Sequence, residues 1–209
     1  GGYFGNITTA RLVYNGKTYR LHNFLRHRLG DVYFSSFGSR PSRIFKNADI
    51  RTSIITGKKE TTESKSSIYT SEFILFTDDD RDERMRSIKH ERSDDLYLGR
   101  RVGDFEGTKS RWLPKIGSAK IRKILDNLSD FGKTFDDLRC EDARHTLLWT
   151  EGNRHWIPAM LSKTYESTEF FTISFHSDLH KRYAFLVLHS HLFYLYWMVY
   201  ADQYHLNKG

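Results

Sequence analysis

Residues 32–56 contain two strand-like segments with a polar loop between them, and any fold of this chain must accommodate this pair. The first segment carries Phe34 and Phe37. The second, residues 50–56, is dominated by isoleucine, threonine and serine, a composition that favours pleated structure. The loop contains Pro41, which removes a backbone donor and biases the preceding residue toward extended geometry. These features predict two strands connected by a structured loop.

The loop, residues 38–43, carries two guanidinium groups and two hydroxyl groups. Guanidinium groups bind phosphate oxygens through paired, charge-assisted hydrogen bonds, so a loop of this composition suits an anion. An ordinary solvated surface loop can have the same composition, and the sequence leaves both interpretations open. The anion-binding interpretation predicts that Arg40, Ser42 and Arg43 contact phosphate.

Basic residues are concentrated in two parts of the chain. Lysine and arginine number 33 and aspartate and glutamate 26, which gives a formal charge of +7. Residues 1–47 contain eight basic residues and one acidic residue, and residues 100–123 contain eight basic residues and two acidic residues. Two basic blocks in an otherwise balanced chain favour a polyanionic partner. A solvated basic surface without a partner is the alternative.

Composition also bounds the class of protein. The chain has 209 residues, which is enough for a sizeable core, and its 15% aromatic content indicates that rings supply much of that core. Cys140 is the single cysteine, so no intrachain disulfide forms and a reducing compartment is expected. No signal peptide is evident at the start, which looks like part of a strand. We expect a piece of a longer cytoplasmic polypeptide.

The order of predicted elements in the first half indicates an α/β fold. Residues 3–9 and 32–37 are predicted strands, and an amphipathic helix capped by Thr18 is predicted between them. A strand, a helix and a second strand predict a parallel βαβ unit. The segments 50–56 and 68–76, joined by a polar connector, predict an antiparallel hairpin at the sheet edge. The apolar face of this helix is predicted to consist of Leu21, Phe24, Leu25 and Leu29.

The second half is predicted to be mixed α and β. Residues 87–107 are polar and contain three glycines, which favours a boundary between subdomains there. A hairpin turn is predicted at residues 150–153, a strand at 170–175, and one long helix from Leu179 to about residue 201. Residues 183–200 approach the length of a membrane span, but central histidines and four tyrosines favour a buried or interface helix instead.

Motifs for catalysis or metal binding are incomplete in this sequence. There is no Gly-x-Gly, no phosphate-binding Gly-Lys-Ser/Thr and no Gly-x-Ser-x-Gly nucleophile turn. Two histidine pairs, within residues 176–180 and 189–191, could suggest zinc, but neither has the helical Glu of a metalloprotease motif. The acidic run at residues 78–86 has interleaved arginines and is typical of a helix N-terminus. We expect structural roles for these residues and no metal site.

Several segments resemble a known family. The stretch FSSFGSRPSRIF, with the later IRTSIIT, resembles the segment that adenine-specific DNA methyltransferases of the type IIG restriction–modification and related large methylase families carry after their catalytic motif. Residues 68–71 (IYTS), 114–117 (PKIG) and the aromatic helix near residues 189–194 are similar to later elements of the same family. The residues that match the first pattern are Arg40, Pro41, Ser42, Ile44, Phe45, Arg51, Thr52, Ile54 and Ile55.

The resemblance implies an architecture but not a complete enzyme. It implies the back half of a class I methyltransferase-like α/β sheet with an antiparallel edge hairpin in residues 1–95. Residues 96–209 would be a linker and a mixed α+β region leading to a target-recognition domain. Enzymes of this family bind S-adenosylmethionine through a Gly-rich turn and act through Asn-Pro-Pro-Tyr. This chain has neither motif, because its three prolines are isolated. The cofactor and catalytic residues would belong to a preceding N-terminal half.

The sequence thus predicts a DNA-binding fragment of a restriction–modification adenine DNA methyltransferase, with no catalytic residue, cofactor or metal of its own. Its expected partners are double-stranded DNA and the missing N-terminal half, without a membrane, and an unpaired sheet edge would favour self-association. The alternative is a protein-interaction or scaffold module that docks through the aromatic C-terminal helix, with no catalysis. The predicted DNA-binding residues are Arg40, Ser42, Arg43, Arg51, Arg111, Trp112 and Lys115.

Overall fold

The protein has a mixed α/β fold divided into two compact units, Gly1–Leu128 and Ser129–Gly209. The computed structural model describes residues 2–59, 66–99, 111–130, 135–141, 144–150, 157–162 and 170–201. Each unit has its own sheet and its own hydrophobic core.

The first unit is built on an open, mixed five-stranded sheet. The strand order is β1-β3-β2-β4-β5. Strand β2 pairs in parallel with β4, and the other neighbouring pairs are antiparallel. The strands are β1 (Tyr3–Thr9), β2 (Val32–Phe37), β3 (Thr52–Lys58), β4 (Ile68–Ile74) and β5 (Glu91–Arg92).

The strand order and directions correct two sequence predictions about the sheet. A parallel sheet was expected from the βαβ unit of β1 and β2, and these two strands do run in the same direction, but β3 lies between them and runs antiparallel to both. Strands β3 and β4 were expected to form a hairpin, but β2 lies between them. The reason is that β2 buries residues on both faces, Phe34 on one and Phe37 on the other, so it occupies the centre of the sheet rather than an edge.

The two faces of this sheet have separate apolar clusters. The helix face carries Val32, Phe34, Ile55 and Ile68, and it packs against α2 through Leu25. The loop face carries other residues of the same strands and packs against the loop that follows β2 and against helix α3. The helices of this unit are α1 (Arg11–Tyr14), α2 (Tyr19–Arg28), α3 (Arg81–Arg86) and α4 (Ala119–Ser129). The loop-face cluster is Phe37, Ile44, Ile74 and Phe76, with Ile54, Met85 and Ile88.

Helix α2 begins after Thr18 as predicted, but its buried face differs from the prediction. Phe24 is 55% exposed, whereas His22 is fully buried beside Leu25. The Thr18 hydroxyl does not cap α2 and instead donates to the carbonyl of Leu12 at 3.0 Å. A polar ring can replace an apolar one in the core here because both nitrogens of His22 find partners inside the unit.

The first unit continues past the predicted domain boundary at residues 95 and 96. The Thr70 hydroxyl on β4 donates to the carbonyl of Pro114 at 2.7 Å and accepts from the N–H of Ile116 at 3.2 Å. Gly117 has φ +64, and a Cβ there would lie 2.4 Å from the backbone nitrogen of Glu72. Residues 113–117 therefore pack tightly on β4 and belong to the same core. Short strands β6 (Leu98–Gly99) and β7 (Arg111–Trp112) pair just before them.

The second unit contains a three-stranded antiparallel sheet and two helices. Its strand order is β10-β8-β9. Its core combines Leu147, Trp149, Phe175, Leu188 and Trp197. The hairpin turn predicted at residues 150–153 lies largely outside the described residues. The elements are β8 (His145–Thr150), β9 (Ala159–Met160), β10 (Phe170–Phe175), α5 (Asp178–Leu188) and α6 (His191–Tyr200).

The long C-terminal helix of the prediction is two helices. Helix α5 ends at Leu188, and Ser190 begins a new one, because its hydroxyl accepts from the N–H of Phe193 at 3.2 Å. Ser177 caps α5 in the same way through the N–H of His180. Within the described part of the chain, no helix combines the length and the hydropathy needed to cross a bilayer.

Candidate nucleic-acid interface

The loop between β2 and β3 leaves the sheet beside the C-terminal end of β4. The N–H of Gly38 donates to the carbonyl of Ile74 at 3.0 Å, and the N–H of Ser42 donates to the carbonyl of Phe76 at 3.1 Å. Strands β2 and β4 are parallel, so both end at this edge of the sheet. These two hydrogen bonds continue the pairing of β2 and β4 past the last ladder residues and hold the first half of the loop against the sheet.

A second set of contacts holds the middle of the loop. The side chain of Ile44 is only 8% exposed and packs in the loop-face cluster. Its carbonyl accepts a 2.8 Å hydrogen bond from the Arg81 guanidinium, which also lies 5.6 Å from the ring centroid of Phe76. Helix α3 therefore positions the loop through a cation–π contact and a backbone hydrogen bond.

Helix α3 is itself positioned by its N-terminal turn. Asp80 accepts hydrogen bonds from the N–H and hydroxyl of Thr77, at 2.6 and 2.9 Å, and from Arg84 at 3.2 Å. The hydrogen bonds from Thr77, more than the one from Arg84, lower the pKa of the Asp80 carboxyl. This arrangement agrees with the helix-start interpretation of the acidic run, and it fixes the start of the helix that bears Arg81.

Arg40 and Arg43 present their guanidinium groups on the same side of the loop. Both contact one carboxylate oxygen, Oδ2 of Asp49, at 3.4 Å from Arg40 and 3.2 Å from Arg43. The side chains of Arg40, Arg43 and Asp49 are 77%, 34% and 49% exposed. The structure thus brings two of the predicted phosphate ligands together around an oxyanion. Exposed ion pairs of this kind are weak and can exchange partners.

Two further predicted residues lie near this pair along the chain. Ser42 is half-buried, and its backbone rather than its hydroxyl makes the contact to Phe76 described above. Arg51 precedes β3, where its carbonyl accepts from the N–H of Ala10 at 2.9 Å. The Arg51 residue therefore connects the end of the loop to the end of β1.

The predicted residues of the second basic block are placed differently. Trp112 lies in β7 and is half-buried, and the side chain of Arg111 lies outside the described part of the structure. Lys115 is only 1% exposed, with its ammonium 5.3 Å from the ring centroid of Tyr14. A cation so deeply buried cannot contact a DNA backbone, so we remove Lys115 from the interface.

The remaining described cations of this block are on α4. The guanidinium of Arg122 binds both oxygens of Asp95, at 2.5 and 3.1 Å, and lies 3.8 Å from Asp126. This bidentate pair attaches α4 to the segment after β5. Lys120 and Lys123 are exposed on the same helix. Residues 100–110, which supply the rest of the block, lie outside the described residues.

Sequence reasoning missed two participants in the loop site, Arg81 and Asp49. Arg81 was interpreted only as part of a charge run. Asp49 carried a signal that could have been used, because it is the single acidic residue between positions 32 and 59. Because Asp49 follows two basic loop residues, Arg40 and Arg43, an ion pair between Asp49 and one of these arginines could have been predicted.

The histidine pairs do not form a metal site among the residues that the structure describes. The rings of His176 and His180 have centroids 6.3 Å apart, and no group of three or more histidine, cysteine or acidic side chains there is arranged to hold an ion. Comparison with protein-family models, with curated proteins and with solved structures gives no match for this chain. Its function is therefore argued from the residues and their geometry.

Proposed function

We propose that this chain is a DNA-binding part of an adenine-specific DNA methyltransferase of the restriction–modification type. The proposal extends the family resemblance of residues 34–55 to the loop site. The observation that carries it is the loop after β2, which holds the exposed Arg40 and the half-buried Arg43 around one oxyanion position at a sheet edge. In this proposal Arg40 and Arg43, with Ser42 and Arg51 nearby, contact phosphates of double-stranded DNA.

The physical basis of the proposal is preorganisation. A loop that is already held by backbone hydrogen bonds and by Ile44 loses less conformational entropy on binding than a free loop. Guanidinium groups are suited to phosphate because two N–H groups can donate to two oxygens at once. Contacts of this kind position a protein on a duplex without reading its sequence.

The outer edge of β1 is the proposed place for the N-terminal half of the methyltransferase. The N–H of Ala10 donates to the carbonyl of Arg51, so alternate residues of β1 face β3. Tyr3, Gly5 and Ile7 direct their backbone groups the other way, and no described segment pairs with that edge. A strand from the N-terminal half would satisfy these groups, and in its absence a second copy could do so.

The turn after β1 does not fit the cofactor of this family. The turn after β1 passes directly into α1 through Ala10, which is fully buried and has no glycine neighbour. That junction offers no cradle of free backbone N–H groups for S-adenosylmethionine. We therefore derive no methyl-transfer step from this chain and assign it a role in binding.

The test is the salt dependence of binding to a short labelled DNA duplex. An Arg40→Ala, Arg43→Ala double variant should weaken binding and lower the slope of log affinity against log salt by about two, because about one counterion is released per phosphate contact. Affinities are measured by fluorescence anisotropy between about 50 and 200 mM salt.

A matched control separates a local contact from overall charge. The Arg11→Ala, Arg28→Ala double variant removes the same formal charge, one arginine from α1 and one from α2. Helix α2 packs on the face of the sheet opposite to the loop-face cluster. The salt slope of this variant should stay close to that of the unsubstituted chain. If the loop variant keeps the original slope, or if both variants lose the same amount, Arg40 and Arg43 do not contact DNA.

A second candidate function, in protein interaction, is favoured by one observation on α5. Leu179, Tyr183 and Leu186 are 74%, 55% and 68% exposed. Their spacing of four and three residues places them on one side of the helix. An exposed apolar stripe of this kind is typical of a docking surface for another protein. The stripe lies on α5, the first of the two helices that form the predicted C-terminal docking helix.

A further inference from the structure

The carboxylate of Asp49 occupies the position between the two loop arginines. Both guanidinium groups approach the same oxygen, Oδ2, at 3.4 and 3.2 Å. Of the carboxylates in the described ranges, only Asp49 lies within 4.0 Å of either group. The pair is therefore neutralised in part by one side chain from its own loop.

The backbone brings Asp49 to this position. The N–H of Ala48 donates to the carbonyl of Phe45 at 3.1 Å, which closes a turn over residues 45–48. Ile44, just before the turn, is buried, and its carbonyl is bound by Arg81. The chain reverses at this turn and brings Asp49 back toward Arg43. Because Ile44 is held in place before the turn, the position of Asp49 is constrained as well.

We propose that Asp49 is an internal substitute for a nucleic-acid phosphate, and that it is displaced from Arg40 and Arg43 when DNA binds. This inference rests on the proposed function and concerns the regulation of the same site. Asp49 lowers the affinity of the free loop for anions and leaves the two guanidinium groups oriented toward the place that a phosphate oxygen takes. Asp49 thereby sets the affinity of the loop for DNA.

Displacement of Asp49 disturbs no buried contact. Asp49 is half exposed and Arg40 is mostly exposed, so water is available to the carboxylate as it leaves. A phosphate diester offers two oxygens to the pair where the carboxylate now offers one, and it can accept paired hydrogen bonds. The exchange replaces two contacts to a single carboxylate oxygen by contacts to two phosphate oxygens, which match the paired N–H groups of the guanidinium groups better.

The experiment compares the unsubstituted chain with Asp49→Asn. The substitution keeps the size of the side chain and removes its charge. Binding of the labelled duplex at low salt should tighten by about two- to fivefold, the range expected for losing a competing exposed ion pair. The salt slope should steepen by up to about one, because free guanidinium groups recruit solution anions that DNA must then release.

Two controls test whether Asp49 acts through the loop arginines. Glu83→Gln removes one exposed charge from α3 and should leave affinity nearly unchanged. Asp49→Asn added to the Arg40→Ala, Arg43→Ala variant should also have no effect, since the partners of the carboxylate are gone. Equal tightening in Asp49→Asn and Glu83→Gln, or tightening that persists without the arginines, overturns the proposal.

A second measurement does not depend on DNA binding. Inorganic phosphate should raise the unfolding midpoint of Asp49→Asn more than that of the unsubstituted chain or of Glu83→Gln, because the vacated position accepts an anion. No added stabilisation in Asp49→Asn overturns the inference. If the unsubstituted chain fails to bind duplex but phosphate still raises the unfolding midpoint of Asp49→Asn, the proposed DNA-binding function is wrong. The role of Asp49 as an internal occupant of an anion site is then retained.

Discussion

His22 shows how a polar side chain becomes part of the core of the first unit. It is fully buried, its Nδ1 lies 3.0 Å from the hydroxyl of Tyr97, and its Nε2 contacts the carbonyl of Leu12. Burial, opposed in part by the hydrogen bond to Leu12, lowers the pKa of His22 to about 4, so the ring is neutral near pH 7. A carbonyl can only accept, so the one proton of the neutral ring lies on Nε2, and Nδ1 accepts from the hydroxyl of Tyr97.

This histidine predicts a loss of stability in mild acid. The unfolded chain binds a proton at His22 below about pH 6.5, whereas the folded chain does so only near pH 4, so the free energy of unfolding falls as the pH drops through this window. The two pKa values correspond to about 3 kcal/mol when the window is fully crossed. Urea unfolding of the unsubstituted chain and of His22→Gln at several pH values checks this.

Between pH 6.5 and pH 4, the free energy of unfolding of His22→Gln should depend less steeply on pH than that of the unsubstituted chain, even though the variant is less stable overall. His27→Gln, on the exposed side of the same helix, is the matched control and should keep the original slope. An unchanged slope in His22→Gln would mean that other groups cause the acid sensitivity.

Lys115 illustrates the limit of sequence reasoning about single residues. As one of eight cations in a basic block it was expected on the surface, yet it is buried above Tyr14. Arg40 was expected on the surface and is there. The difference lies in the neighbouring backbone, because the turn at Gly117 packs residues 113–117 onto β4 and leaves Lys115 no route to solvent.

At the scale of elements, local patterns located most segments well. Strand β2 lies where the alternation of apolar residues placed it, and α2 begins after Thr18 as predicted, although the Thr18 hydroxyl does not cap the helix. The break at Ser190 was missed because apolar runs lie on both sides of His189-Ser190-His191 and were taken together as one helix. A serine that can cap a new helix competes with continuation, and packing of α5 and α6 in one core decides between them.

The exposed face of α5 leads to a prediction for the second candidate function. A Leu179→Ser, Leu186→Ser double variant should abolish co-elution with a protein partner in size-exclusion chromatography, because the apolar area for docking is lost. The salt slope for DNA should not change. Ile157→Ser with Leu161→Ser, which alters two other exposed apolar residues outside the helix, is the control. Partner binding that survives in the α5 variant would exclude this face.

At the scale of the whole molecule, the open edge of β1 is the main liability. The strand sequence YFGNITT contains no proline and no charged residue, and Tyr3 and Ile7 are 86% and 56% exposed. Proteins usually protect such edges with lysine, proline or a covering segment, and within the described ranges none is present. The edge is therefore expected to pair with another strand.

Ile7→Lys tests this expectation. A lysine on the edge should weaken concentration-dependent self-association about tenfold, since like charges would meet across the new pair. Thr56→Lys adds the same charge to the same sheet face on the interior strand β3 and should have less effect. Sedimentation velocity over a range of concentrations provides the comparison. Equal association in both variants would show that β1 is not the contact.

The sequence alone determined where the four long strands and helix α2 of the first unit lie and that Arg40 reaches solvent in the β2–β3 loop. Those properties follow from near neighbours: alternation, capping and the rigidity of Pro41. The tertiary structure decided the order of the strands, the burial of His22 and Lys115, and the pairing of Asp49 with Arg40 and Arg43. These depend on contacts between residues distant along the chain or on the path of a loop, which a linear pattern does not specify.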